Sequence, residues 1–160
     1  MREIKAHTLT ADNFKDFGIF YDFVNPTGHT LGTFFHDHIL MSISGGRQLG
    51  FSSMVIEKKE RMIITRSEFH NNASEAVLPL DSDIVIYVAP PSNEPCPALT
   101  QAFIVPKGTM VLMNAGVWHC TPFSAGLQTA HALVALPERV YHNDCTIIDY
   151  SENDYMEITV

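Results

Sequence analysis

The chain has no apolar run near the ~20 residues that a membrane-spanning helix needs, so no membrane partner is expected. Its first ten residues, MREIKAHTLT, lack the apolar stretch of a signal peptide. Cysteine is scarce: Cys96, Cys120 and Cys145 are an odd number without framework spacing. A disulfide scaffold is therefore excluded, and reduced thiols in a cytoplasmic protein are the expectation. Cations are few as well. Ten Lys and Arg stand against 18 Asp and Glu, a formal charge of −8. That balance excludes nucleic acid and an anionic membrane surface as partners. A small anionic substrate stays open, because it needs only a few local donors. No internal repeat and no low-complexity tract is present, which excludes solenoids and disordered tails.

Within 160 residues, 46% are apolar and 18% charged, enough for one domain over residues 1–160 with its own core. Thr10 has the chemistry of a helix N-cap, with Asp12 in the first turn, Phe14 and Phe17 three apart, and Gly18 as a stop. One short helix is predicted over 11–17. Most of the chain beyond it reads as strand and turn. Residues 51–58 and 61–69 are rich in β-branched and aromatic residues. Residues 84–90, IVIYVAP, form a near-continuous apolar run expected in the core. Segments 102–106, 110–113, 128–136 and 145–150 continue the pattern. Gly45-Gly46 and Asp81-Ser82-Asp83 punctuate it, and the Pro-rich run 90–97 is a connector. Short strands with frequent turns predict an all-β sandwich or barrel.

Alternate residues on a strand share a face, so Arg66, Glu68 and His70 are expected together, with Thr65, Ser67 and Phe69 opposite. On an inner face such a set must pair or bind something. On an outer face it is simply solvated. His119 follows Trp118 in a turn shaped by Gly116. Glu75 completes a set of two imidazoles and two carboxylates with Glu68, suited to Mn, Fe, Ni or Zn, or else it is a solvated loop residue. His36-Asp37-His38 places two imidazoles on one face of an expected strand, exposed or facing a dimer partner. Cys120 reads as a small buried filler.

Gly108, Asn114, Gly116 and His119 have the spacing Gly-x5-Asn-x-Gly-x2-His. This is similar to the second motif of the cupin barrels, which has Pro at the Asn position. Glu68-x-His70-x4-Glu75 is similar to the first cupin motif, with Glu68 in place of the first His. Together they imply a double-stranded β-helix barrel whose mouth gathers Glu68, His70, Glu75 and His119. More closely, the chain resembles the ureidoglycolate lyase (ureidoglycolate hydrolase) family. The likeness runs from TADNFKDFG through Ser67-Glu68-Phe69-His70, EAVLPL, IVIYVAPP, LTQAFIVPKG and GVWHCTPF to Asn143-Asp144-Cys145. The departures are Phe69, Met113, Asn114, Ala115 and Cys120, where that family usually carries polar site residues.

The resemblance implies cleavage of ureidoglycolate to glyoxylate and urea in allantoin (purine) catabolism. Glu68, His70 and His119 are the implied catalytic groups, with His70 or His119 as base. Arg66 is the candidate for the substrate carboxylate, since a guanidinium grips it through two hydrogen bonds. Trp118 is a second candidate for substrate contact. A small molecule is the expected partner, and a homodimer the expected assembly, with apolar surface around Phe34 and Phe35 for the second copy. Two other classes stay open: a different metal-dependent cupin enzyme (isomerase or dioxygenase), and a non-catalytic cupin that binds a metabolite.

Overall fold

The computed structural model describes residues 1–43 and 45–160. In chain order the elements are β1 (Arg2–Thr8), α1 (Ala11–Phe14), β2 (Gly18–Asp22), β3 (Leu49–Glu57), β4 (Met62–Ile64), β5 (Arg66–Phe69) and β6 (Glu75–Pro79). Next come β7 (Ile84–Val88), β8 (Gln101–Val105), β9 (Thr109–Met113), β10 (Phe123–Ser124), β11 (Thr129–Pro137), α2 (Val140–Asn143), β12 (Thr146–Asp149) and β13 (Met156–Thr159). The fold is all-β and barrel-like, as the two motifs imply.

A two-stranded sheet, β12-β5, accompanies two larger ones, β10-β7-β8-β1-β13-β4 and β2-β9-β6-β11-β3. The facing sides of the two larger sheets share one core. Ile84, Ile86 and Val88 of β7, Phe103 and Val105 of β8, Val77 of β6, and Val111 and Met113 of β9 meet there with Phe14 and Phe17. The opposite face of β7 is buried as well: Val85 and Tyr87 pack with Ile4, Ala6, Met156 and Ile158. That double burial is why residues 84–88 read as an unbroken apolar run rather than an alternating one.

Thr10 caps α1 as expected: its hydroxyl accepts from the Asn13 N–H at 3.2 Å, and the Asn13 side chain accepts from the Thr10 N–H at 2.9 Å. The helix, however, ends at Phe14 rather than Phe17. Phe14 and Phe17 are both buried, and a turn brings both rings inward before Gly18 opens β2. The segment 61–69 is likewise two strands rather than one. β4 pairs with β13 and β5 with β12, so the chain changes partner at Thr65. His36 and His38 do not lie on a strand; Asp37 between them takes φ 57°, which breaks extended pairing. Nor do Phe34 and Phe35 belong to a strand, although Phe34 is exposed as anticipated.

The two motif glycines have a steric reason. At Gly108 (φ 84°) a Cβ would lie 2.3 Å from Val24 Cγ2, and Gly116 sits at φ 83°, a region that L side chains rarely adopt.

Candidate active site

Three backbone junctions bring distant segments together at one place. Glu68 and His119 exchange N–H···O=C bonds of 2.6 and 2.8 Å, so the turn after Gly116 lies beside β5. Trp118 and Ala89 do the same at 2.8 and 3.0 Å, which fixes the turn to the end of β7. The Gly116 N–H donates to the His70 carbonyl at 2.7 Å. Glu75 starts β6 directly opposite Met113 of β9 and shares a face with core residue Val77.

The result is a buried cluster of His70, Glu75 and His119. Glu75 Oε2 lies 3.1 Å from His70 Nε2 and 3.3 Å from His119 Nε2. The side chains are 4%, 8% and 4% exposed, too dry for water to screen them. Each imidazole is anchored at its other nitrogen. His70 Nδ1 is 2.7 Å from the Asp144 carbonyl, and His119 Nδ1 is 2.8 Å from the Val117 carbonyl. A carbonyl oxygen can only accept, so both Nδ1 atoms carry the proton. Both Nε2 atoms then turn their lone pairs toward one carboxylate oxygen. Such a convergence of acceptors is stable only with added protons or a cation between them.

The electrostatics reflect this arrangement. Burial alone pushes the Glu75 carboxyl up, but the charges and hydrogen bonds of His119 and His70 outweigh it and hold it down at about 2. Burial pushes His119 down, and the Glu75 carboxylate outweighs that, so the imidazolium form is favoured. The Glu68 charge adds to the same upward shift.

These three residues can hold a metal ion: their ligating atoms lie within 4.8 Å of one another. Two imidazole nitrogens and a carboxylate suit Zn, Fe, Mn or Ni, and the two Nδ1–H anchors orient the ligands as a metal centre requires.

The other expected site residues lie around this cluster. Glu68 faces the same side as His119 but stands outside the three-residue group, and its carboxylate accepts from the Cys145 thiol at 3.4 Å. Burial and the Glu68 charge push that thiol up to about 12, so it remains a donor. Arg66 sits at the rim, half exposed, paired with Asp149 at 2.8 Å. Trp118 is buried, with its ring 4.4 Å from that of Phe69 and its indole N–H donating to Ser92 at 3.0 Å. It braces the turn behind His119. Cys120 lines a cavity of about 330 Å³ together with Arg66, Thr65, Tyr87 and Thr121. Sequence reasoning gives Asp144 no role of its own; a backbone carbonyl leaves no trace in residue type.

The family model described as Ureidoglycolate lyase matches residues 1–157, nearly the whole chain. No curated protein shows a significant match.

The cluster predicts a pH signature for the metal-free protein. Glu75 is depressed, so its contribution is present above its ordinary 4.5 and is lost as pH falls toward about 2. His119 is raised, so its contribution is complete below 6.5 and is lost as pH climbs through its folded value. The melting-temperature gap between wild type and Glu75→Gln should therefore peak between pH 4.5 and 6.5. A gap independent of pH would show that Glu75 is not ionised between the two imidazoles.

Proposed function

The chain belongs to the ureidoglycolate lyase family, and we propose that His70, Glu75 and His119 are the groups that cleave ureidoglycolate to glyoxylate and urea. The observation that carries this reading is one carboxylate oxygen within hydrogen-bond reach of two imidazoles, each with a fixed tautomer.

The substrate carbon bears a hydroxyl, a carboxylate and a ureido nitrogen. Its collapse needs a base at the hydroxyl and an acid at the departing nitrogen. His70 Nε2 takes the hydroxyl proton. The C–N bond breaks as the C=O of glyoxylate forms. His119, whose protonated form Glu75 favours, gives its proton to the urea nitrogen. Glu75 Oε2 lies between the two Nε2 atoms and returns the proton from His70 to His119, which restores the starting state. Glu68 keeps negative charge near His119 and so supports its role as acid. The same three residues would fit Mn, Fe, Ni or Zn; with the two Nε2 lone pairs so used, the ion in place of His70 would activate the substrate hydroxyl.

Arg66 is the candidate for the substrate carboxylate. Its partner Asp149 is 70% exposed at the side chain, and an exposed pair of this kind is worth only about 0–1 kcal/mol, so an anionic substrate can displace it. The cavity lined by Arg66 and Cys120 offers space for a molecule of this size next to the Arg66 guanidinium. The free thiols fit a reducing, cytoplasmic setting.

The test pairs activity with stability. His70→Ala and His119→Ala should each lower turnover by about 100- to 10,000-fold while the proteins still fold cooperatively. Wild-type protein without urea or glyoxylate release, or variants that lose activity only by unfolding, would overturn the reading. For assembly, the exposed apolar side chains of Phe23, Val24, Leu31, Phe34 and Leu40 on one loop support a homodimer. Light scattering at micromolar concentration should give twice the 17.9 kDa chain mass, and a monomeric mass would exclude it.

A further inference from the structure

The segment between α2 and β12 touches both polar residues of β5's end at once. The Asp144 carbonyl accepts the Nδ1 proton of His70 at 2.7 Å. The Asp144 carboxylate accepts the backbone N–H groups of Asn71 and Asn72, each at 2.8 Å, through its two oxygens. One residue later, the Cys145 thiol donates to Glu68 at 3.4 Å. The Asp144 N–H itself is held by the Val140 carbonyl at 2.8 Å, and Val140 is fully buried. From Thr146 onward β12 pairs with β5 in register, Thr146 opposite Phe69 and Ile147 opposite Glu68. The dipeptide is thus fixed on both sides, by the core at α2 and by a strand ladder at β12.

We infer that Asp144 and Cys145 form a positioning clamp that sets the His70 tautomer and the Glu68 carboxylate for the reaction. The clamp rests on the reading that His70 is the base. Its logic is that each contact leaves the reacting atom free. Asp144 occupies Nδ1 and so directs the Nε2 lone pair to Glu75. By gripping the next two N–H groups, its carboxylate stops the chain after His70 from swinging away. Cys145 holds Glu68 by donation to one carboxylate oxygen. Outer-shell partners of this kind orient a ligand or base without touching substrate.

The experiment uses metal-free, ¹⁵N-labelled protein and reads the His70 and His119 rings by NMR beside ureidoglycolate kinetics. In wild type both rings should carry the proton at Nδ1. Asp144→Ala keeps the carbonyl but releases the Asn71 and Asn72 N–H groups, so the chain after His70 should loosen and the His70 ring should lose its single Nδ1–H state, while His119 stays as it was. With the carboxylate anchor gone, turnover should fall by about 10- to 100-fold, the usual scale for an outer-shell contact. Asp144→Asn, which keeps an acceptor oxygen for the loop, should recover much of both readouts. Cys145→Ser, which keeps a donor to Glu68, should likewise exceed Cys145→Ala in turnover. Should Asp144→Ala fail to fold, Asp144→Asn and the Cys145 pair carry the same comparison. A folded Asp144→Ala with the wild-type His70 ring and wild-type turnover would overturn the clamp. A wild-type protein that shows the expected ring states but no turnover would leave the clamp standing and remove the catalytic reading instead.

Discussion

Everything at this site depends on one buried carboxylate lying between two imidazoles. Glu75 alone in a dry interior would be driven toward its neutral form. His119 alone would be driven to neutrality too. Together they reverse both tendencies, because the attraction between them is scarcely screened. Such a pair is costly to half-dismantle: removing one partner of a buried ion pair is worth about 3–5 kcal/mol. The cluster is therefore a fixed feature of the barrel, with its charges set by geometry before any substrate arrives.

The barrel supplies that geometry by convergence. β6 delivers Glu75 from one sheet. The end of β5 delivers His70, and the turn after Gly116 delivers His119 while bonded to Glu68 and Ala89. Apolar side chains fill the space between the sheets. Two carbonyls, from Val117 and Asp144, then decide which nitrogen of each ring faces inward. The proposed mechanism uses a base and an acid that differ by one proton, and a shared carboxylate would keep that difference within one cluster.

Much of this is legible in the residues. The spacing of Gly108, Gly116 and His119 implies the turn, and strand parity groups Glu68 with Arg66 and His70, while the fold adds the bridge from Glu68 to His119. The apolar run at 84–88 announces a doubly buried strand. Less legible are β1 and β13, each with two buried apolar residues among polar ones, too little signal to separate a strand from a loop. Glu75 is harder still: its spacing permits a ligand, yet a glutamate opening an apolar segment looks the same when solvated. Its central place emerges only from the pairing of β6 with β9. The helix stops three residues short of its sequence pattern because Phe14 and Phe17 both face the core, and a turn satisfies that as well as a helix does. The anchoring of His70 is invisible in the sequence, since every residue owns a carbonyl and only the fold decides which one meets an imidazole.

The central claim is that the charge on Glu75, and not merely its shape, couples the two imidazoles. Glu75→Gln keeps the volume and one oxygen and removes the charge. The most direct measurement is ureidoglycolate turnover by this variant, taken where circular dichroism shows it folded. The account predicts a loss of about 100- to 10,000-fold, on the scale of a lost acid–base group. Turnover close to wild type would contradict it.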